Sequence, residues 1–290
     1  MKKRTLLSIF LGLALVFLAA CGGGETSQEE TAPAETTETE TTETTEEPTG
    51  NTVVKIAVSP EPHAVIAELV KEDLAAEGID LEIMEFDDYV IPNQVTSSGE
   101  VDLNFFQHEP YFNNFVEENG IDNLQMIGAV HLEPMGVYSA NYESKEEIQD
   151  GDEVIIPNDA TNGGRALLIL EKEGLIELDD SENLAATEEN IVENPKNLKF
   201  TAMEAASIPS TYQDAGLAVI NSNYALEVDL NPLTDSLAIE STESPYANIV
   251  VARTEDAEKP EIKKVMEAFN SDKVKTYIEE TYEGAIIPAF

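Results

Sequence analysis

The stretch V-I-I-P-N-D-A-T-N-G-G-R-A-L-L-I-L, residues 154–170, contains a strand pattern, a polar turn and the beginning of a helix. The β-branched run ends at Pro157. The leucine-rich part that follows repeats with helical spacing up to Gly174, a residue type typical of the position just after a helix. Thr161 or Asn162 is expected to cap this helix at its start.

Arg165 is the residue of this stretch that predicts a ligand site. We expect it in or near the first helical turn, where unpaired backbone N–H groups and the helix dipole favour an anion. Gly163 and Gly164 let the backbone come close, and an arginine fork there suits a carboxylate or a phosphate. A solvated arginine beside a glycine-softened turn fits the same residues, so the stretch alone leaves both possibilities open.

Strand and helix patterns alternate on both sides of this stretch. Strand–helix–strand order predicts parallel α/β sheets with right-handed crossovers. Two such units, joined by extended segments at 124–135 and about 237–252, predict two lobes with a ligand cleft between them. The expected strands are 53–58, 81–86, 101–106, 135–139, 153–156, 198–203, 217–220 and 247–252, and the expected helices are 62–78, 92–99, 109–120, 165–172, 207–213, 259–270 and 272–281.

The N-terminal 51 residues are expected to target and tether the protein. A basic start, an apolar run and a small-residue site indicate a signal peptide at residues 1–20. The segment L-A-A-C-G-G-G resembles a bacterial lipobox, which would make Cys21 the lipidated N-terminus and anchor the protein to a membrane. An ordinary secreted protein with one unpaired cysteine is the alternative. Residues 21–51 are rich in Glu and Thr and predict a disordered tether. Beyond it, 52–130 with about 250–290 would form lobe 1, and 131–249 lobe 2.

The charge balance restricts the possible partners. The chain has 58 acidic and 16 basic residues and a formal net charge of −42. Such a charge argues against binding to nucleic acid and against electrostatic docking on anionic lipid. Most of the carboxylates are expected on the solvated surface.

The segment N-F-F-Q-H-E-P-Y, residues 104–111, predicts the apolar part of a ligand site. Phe106, His108 and Tyr111 fall where a strand ends and a helix begins, and ligands of α/β sheets bind outside the carboxyl ends of strands. Tyr89 occupies the comparable turn after the preceding strand. These rings would form a slot that suits an apolar or thioether side chain. In the alternative, the phenylalanines belong to the core and the histidine caps a turn.

Asn221 and Asn248 are candidates for the polar part of the site. Each lies at one end of an expected strand, where an amide can orient an ammonium or a carboxylate group. A turn asparagine without a ligand is the simpler interpretation of either residue on its own.

Motifs for catalysis are not found in the sequence. The chain has no G-x-S-x-G, no P-loop and no G-x-G-x-x-G after a strand. A zinc site from His63, His108 and His131 with a carboxylate would need the fold to assemble it, because no ligand spacing in the sequence supports it. We therefore expect neither an enzyme, nor a cofactor, nor a metal site.

Several long motifs in a fixed order resemble the NlpA/MetQ-type methionine-binding lipoproteins, the substrate-binding components of a bacterial ABC importer. The resemblance covers nearly all of residues 53–290. The motifs are F-D-D-Y-V-I-P-N-Q (86–94), D-L-N-F-F-Q-H-E-P-Y (102–111), P-N-D-A-T-N-G-G-R-A-L-L-I-L (157–170), E-N-P-K-N-L-K (193–199), A-V-I-N-S-N-Y-A (218–225) and S-P-Y-A-N-I-V-V (244–251).

The resemblance implies a two-lobed periplasmic-binding-protein fold of type II-like architecture, with methionine held between the lobes. It also implies two groups of ligand-binding residues. The aromatic group, around the thioether side chain, consists of Tyr89, Phe106, His108 and Tyr111. The polar group consists of Arg165 at the α-carboxylate and of Asn162, Asn221 and Asn248.

The same resemblance implies capture of L-methionine and its delivery to an ABC permease with its ATPase, by a monomer anchored through lipid on the extracytoplasmic face of the cell membrane. One alternative is the same fold binding a methionine-containing dipeptide, D-methionine or another apolar amino acid. The other is a surface lipoprotein that acts as an adhesin or interaction protein.

Overall fold

Two larger β-sheets organise residues 50–290, the part of the chain that the computed structural model describes. The six-stranded sheet defines lobe 1 and the five-stranded sheet defines lobe 2. The expected signal peptide, Cys21 and all but the last two residues of the expected tether lie outside the described residues. None of the helices within residues 50–290 has the length and the apolar character that crossing a bilayer requires.

The first half of lobe 1 alternates strands and helices, as expected from the sequence. Its first three strands pair in parallel. The elements are β1 (Thr52–Val58), a short helical turn (Pro60–Ala64), α1 (Val65–Ala76), β2 (Ile79–Glu85), α2 (Ile91–Ser98), β3 (Leu103–His108), α3 (Glu109–Asn119) and β4 (Leu124–Leu132).

Lobe 2 follows without interruption along the chain. Three of its strands pair in parallel, and the two strands at one edge of the sheet pair antiparallel. The strands and α-helices are β5 (Gly136–Tyr138), β6 (Glu153–Pro157), α4 (Ala160–Lys172), β7 (Glu177–Leu178), β8 (Ile191–Glu193), β9 (Lys199–Met203), α5 (Ile208–Thr211), β10 (Leu217–Ile220), α6 (Ser222–Leu226) and β11 (Ala238–Ile239).

The chain then returns to lobe 1 and completes it. The last elements are β12 (Ala247–Arg253), α7 (Pro260–Phe269), α8 (Asp272–Tyr282) and β13 (Ile287–Pro288). The strand order is β13-β4-β12-β3-β1-β2 in lobe 1 and β11-β5-β10-β6-β9 in lobe 2, while β7 and β8 form a separate pair.

The segments that join the lobes are shorter than expected. Residues 124–132, expected within a connection, form the full strand β4, which pairs with β12 in the sheet of lobe 1. The chain passes between the sheets at residues 133–135 and again at 240–246. Because β4 and β12 are antiparallel to their neighbours, the sheet of lobe 1 is mixed rather than wholly parallel.

Helix α4 shows how the sequence forms an element that positions the site. Ala166, Leu167 and Leu170 lie on its inner face and are fully buried in the core of lobe 2. Burying each leucine contributes about 1.5–3 kcal/mol. The helix is capped by the side chain of Asp159, which accepts from the backbone N–H of Asn162, so the expected cap at Thr161 or Asn162 is wrong by two or three residues.

Gly164 marks the closest approach of α4 to the rest of lobe 2. A Cβ at this position would meet the carbonyl oxygen of Leu184 and lie 2.8 Å from the backbone nitrogen of Ala186. We expect Gly164→Ala to lower the free energy of unfolding by about 1–3 kcal/mol, because backbone atoms must move to admit the methyl group. Urea denaturation followed by circular dichroism measures the change. Gly50→Ala, whose Cβ would meet nothing within 4 Å, is the control and should stay within about 0.5 kcal/mol.

Candidate functional site

One cavity between the lobes is lined by all eight side chains that the sequence assigned to a ligand site. The space between its lining atoms, including the part open to solvent, is about 320 Å³. Seven of the eight residues are buried, and Tyr89 is half-buried. The eight are Tyr89, Phe106, His108, Tyr111, Asn162, Arg165, Asn221 and Asn248.

Three rings of lobe 1 form an aromatic slot at one end of this cavity. The centroids of Tyr89 and Phe106 are 6.0 Å apart, those of Tyr89 and Tyr111 5.7 Å, and those of Phe106 and Tyr111 6.2 Å. The Tyr111 hydroxyl donates to the backbone carbonyl of Tyr89 at 2.9 Å, which fixes the turn that carries Tyr89. Phe105 points the other way into the core, as strand alternation requires. The slot can accept an apolar or thioether group.

His108 is held as a neutral imidazole at the junction of β3 and α3. Its Nδ1 accepts from the backbone N–H of Tyr111 and so caps α3, the role that the sequence analysis gave as the alternative for this residue. Its Nε2 therefore carries the proton and donates to Oδ1 of Asn162 at 3.0 Å. Burial, together with the nearby charge of Arg165, lowers the pKa of His108 to about 3.

A chain of hydrogen bonds orients the amides of lobe 2. Nδ2 of Asn162 donates to both carboxylate oxygens of Asp159, at 3.0 and 3.1 Å. Oδ1 of Asn162 consequently faces the opposite side, where it accepts from His108 and from Nδ2 of Asn221 at 2.8 Å. Oδ1 of Asn221 is then left buried, without a hydrogen-bond partner among the described residues.

Arg165 lies inside the protein, at the sixth residue of α4, and only 3% of its surface is exposed. Because α4 begins at Ala160, Arg165 lies in the second helical turn, next to the first turn in or near which it was expected. Nε and Nη2 pair with the two carboxylate oxygens of Glu240, at 3.0 and 2.5 Å. Nη2 also donates to the backbone carbonyl of Glu133, and the guanidinium carbon lies 4.3 Å from the ring centroid of Tyr246. Nη1 of Arg165 forms no hydrogen bond within residues 50–290.

Two acidic residues of the site were not predicted from the sequence. Glu240 comes from the second crossing between the lobes and pairs with Arg165. Glu133 comes from the first crossing and lines the cavity. The only local sign of Glu133 is its position two residues after His131 at the end of an apolar run. Glu240 has no such sign among the acidic residues around it.

His63 and His131 lie together beside Glu133, with their donor atoms within 4.8 Å of one another. Nε2 of His131 is 2.6 Å from Oε1 of Glu133, and Nε2 of His63 is 3.3 Å from the same oxygen and 3.1 Å from Oδ1 of Asn248. Burial lowers the pKa of His63 to about 4 and that of His131 to about 3, so both are neutral N–H donors. The three-histidine zinc set considered above does not assemble, because His108 bonds elsewhere.

Contacts across the cavity hold the lobes together. The Tyr89 hydroxyl donates to Oδ1 of Asn223 at 2.6 Å, and the Tyr224 hydroxyl donates to the backbone carbonyl of Asp87 at 3.1 Å. The rings of Tyr89 and Tyr224 are 5.0 Å apart. Burial raises the pKa of Tyr89, which keeps its hydroxyl protonated as a donor. The cavity is therefore closed by side chains from both lobes.

Two α/β lobes, connected by two crossings and closed over a buried cavity, define the two-lobed class of substrate-binding proteins. The family model of the NlpA lipoproteins matches residues 54–290, and the chain belongs to this family. The family resemblance and the two-lobed α/β fold expected from the sequence are thereby confirmed.

The chain is also similar to individual methionine-binding proteins over most of its length. The chain is 40% identical over 226 residues to the D-methionine-binding lipoprotein MetQ of Escherichia coli (strain K12), covering 77% of this chain and 82% of that one. It is 37% identical over 288 residues to the methionine-binding lipoprotein MetQ of Bacillus subtilis (strain 168), covering 97% of this chain and 98% of that one. The structure of a nutrient binding protein from Burkholderia cenocepacia bound to methionine has a TM-score of 0.79 and 36% identity, and covers 82% of this chain and 100% of that chain.

Proposed function

We propose that this protein captures methionine between its lobes and delivers it to an ABC permease driven by an ATPase, without chemical change. The observation that carries the proposal is the pairing, in one closed cavity, of the aromatic slot with the buried guanidinium of Arg165. The slot suits the thioether side chain, and Nη1 of Arg165 is available to the α-carboxylate. The names of the relatives, which bind methionine, support the same ligand.

The expected affinity is consistent with a capture protein. Burying a methionine side chain contributes about 1.5–3 kcal/mol, and hydrogen bonds to charged groups about 1.5–3 kcal/mol each. A few such bonds, less the cost of ordering the ligand and the lobes, give roughly −8 to −12 kcal/mol. This range corresponds to dissociation constants from about micromolar to nanomolar.

Capture would proceed by movement of the lobes. An open form admits the ligand, and closure forms cross-lobe contacts such as the Tyr89–Asn223 hydrogen bond. Opening of the lobes would give the ligand access to a cavity whose lining side chains are buried in the closed form. The closed monomer, tethered through lipidated Cys21 to the extracytoplasmic face of the membrane, would then present the amino acid to the permease.

A calorimetric titration of the purified wild-type domain with L-methionine tests the proposal directly. Ligand at 100 times its dissociation constant should stabilise the protein by about 2.7 kcal/mol, which a thermal-shift measurement detects. D-methionine, a methionine-containing dipeptide and leucine belong in the same panel, because they separate the possible ligands of one fold. Absence of any heat or stabilisation with every compound would contradict the proposal and favour an interaction protein.

A further inference from the structure

Two buried histidines and a buried glutamate direct their ligand atoms towards one another at the edge of lobe 1. His63 belongs to the helical turn after β1, His131 to β4, and Glu133 follows β4 at the first crossing. Both histidines are fully buried, and 5% of the surface of Glu133 is exposed. His131 and Glu133 are two residues apart, where alternation along an extended chain directs both side chains to one face. His63 joins them only through the fold, so spacing in the sequence does not predict the cluster.

The separations among these ligand atoms are close to those that a small metal ion requires. Nε2 of His63 and Nε2 of His131 lie 3.3 and 2.6 Å from Oε1 of Glu133, and the three atoms all fall within 4.8 Å of one another. Ligand atoms bound about 2.0–2.2 Å from a tetrahedral zinc ion are roughly 3.3 Å apart. The distance from His63 to Glu133 already has this value, and the distance from His131 would widen by less than about 1 Å.

Hydrogen bonds leave the polar atoms of the cluster only partly satisfied. Nε2 of His63 lies 3.1 Å from Oδ1 of Asn248 as well as 3.3 Å from Oε1 of Glu133, so a single N–H faces two acceptors. One proton serves two acceptors poorly, because a hydrogen bond depends on a nearly linear arrangement. A metal ion in place of this proton can be bound by the nitrogen and by both oxygens at once.

Burial disfavours charge on all three groups. It lowers the pKa of His63 to about 4 and that of His131 to about 3, so both imidazoles are neutral, the form that binds metal ions. Burial also raises the pKa of Glu133. The cost of an ionised carboxylate in this position would be offset by a cation bound directly to it.

No basic side chain in the described part of the chain supplies that cation. Arg165 donates to the backbone carbonyl of Glu133 at 2.7 Å, but its charge is balanced by the two-point ion pair with Glu240. Among the ion pairs of the described residues, none joins a lysine or an arginine to the carboxylate of Glu133. The carboxylate therefore remains available to a metal ion.

We propose that His63, His131 and Glu133 bind a divalent transition-metal ion, with Oδ1 of Asn248 beside them as a fourth ligand. Zinc is the best match, because two imidazoles and a carboxylate form a ligand set that suits Zn²⁺, whereas Ca²⁺ and Mg²⁺ prefer oxygen ligands alone. The ion would join the turn after β1, strand β4 and the first crossing. This site borders the cavity proposed for methionine, but it is an independent assignment.

Cobalt spectroscopy tests the site on purified protein from which EDTA has removed bound metals and has itself been removed. Tetrahedral Co²⁺ with nitrogen ligands absorbs visible light far more strongly than six-coordinate Co²⁺ on surface carboxylates, an essential distinction in a chain with 58 acidic residues. One equivalent of Co²⁺ should produce the strong bands, and Zn²⁺ should abolish them by competing for the same ligands. At 100 times its dissociation constant, Zn²⁺ should raise the midpoint of thermal unfolding by about 5 °C or more.

Variants of two proposed ligands locate the ion. His131→Gln and Glu133→Gln should each lose the strong bands and bind Zn²⁺ about 100-fold or more weakly, since even the loss of a group that only orients a metal ligand costs about 10–100-fold. Glu227→Gln removes a carboxylate outside the cluster and is the matched control. It should retain the wild-type bands and the wild-type affinity for Zn²⁺. Circular dichroism verifies that each variant is folded.

Two results would overturn the proposal. One is a wild type that shows only the weak spectrum of six-coordinate Co²⁺, a result that does not depend on the folding of any variant. The other is the persistence of strong bands in folded His131→Gln and Glu133→Gln, which would locate the ion elsewhere in the chain. Methionine is absent from all these measurements, so neither result bears on the proposed function.

Discussion

Arg165→Met is expected to abolish measurable methionine binding and to lower the free energy of unfolding by about 3–5 kcal/mol. The guanidinium is buried and forms a two-point ion pair with Glu240. Without it, the mostly enclosed Glu240 carboxylate would be left unpaired, and the carbonyl of Glu133 would lose its donor. Urea denaturation measures the stability, and calorimetric titration with methionine measures the binding.

A double variant separates the two effects. Arg165→Met with Glu240→Leu removes both charges of the pair, and we expect it to recover most of the lost stability, since apolar replacements of a buried ion pair are often neutral. It should still fail to bind methionine, because the ligand carboxylate would enter the cavity without a cation. Near-native affinity in either variant would contradict the role of Arg165 in the proposed function.

The aromatic half of the site was accessible from the sequence because its signals are local. Phe106 and Tyr111 could be predicted because a strand ends and a helix begins between them, at Glu109-Pro110. Tyr89 could be predicted because it lies in the turn after the preceding strand. Strand alternation then separates Phe106, in the slot, from Phe105, in the core. Because β2 and β3 run parallel to each other on either side of β1, their carboxyl ends lie at the same edge of the sheet and bring these positions together.

The charged half of the site depends on contacts between distant segments, which leave no local pattern. Arg165 and Glu240 are 75 residues apart, and Tyr89 and Asn223 are 134 residues apart. Carboxylates are so numerous in this chain that nothing in the composition distinguishes the two that belong to the site, Glu133 and Glu240, from the solvated majority. Which carboxylate enters the cavity is decided by the two crossings between the lobes.

The wrong prediction of the residue that caps α4 has a similar cause. Asp159, Thr161 and Asn162 are all good capping residues, and propensity does not choose between them. In the structure only Asn158 and Asp159 separate β6 from α4, and Asp159 both caps α4 and holds the amide of Asn162. The cap is thus part of the network that orients the site, which propensity alone cannot indicate.

Acidification below pH 6.5 is expected to remove stability contributed by the three buried, neutral histidines, and Glu227, whose pKa burial raises to about 7, offsets part of this loss. Burial lowers the folded-state pKa of His63 to about 4 and those of His108 and His131 to about 3. In the unfolded chain each histidine titrates near its ordinary pKa of about 6.5. Unfolding therefore takes up protons below pH 6.5, so stability falls as the pH falls from about 6.5 towards the folded-state values. The loss between pH 7 and pH 5 is up to about 2 kcal/mol per histidine.

Urea denaturation at several pH values between 7.5 and 5 measures this dependence as the number of protons taken up on unfolding. His131→Gln, which keeps an N–H donor towards Glu133, should reduce the slope by about one proton because one titrating group is removed. Lys275→His places a histidine at an exposed position and serves as the control. Its pKa should be similar in the folded and unfolded chains, so the slope should not change. A slope in His131→Gln equal to that of wild type would contradict the assignment of His131 as a neutral buried histidine, and with it the neutral hydrogen-bond donor that it offers to Glu133.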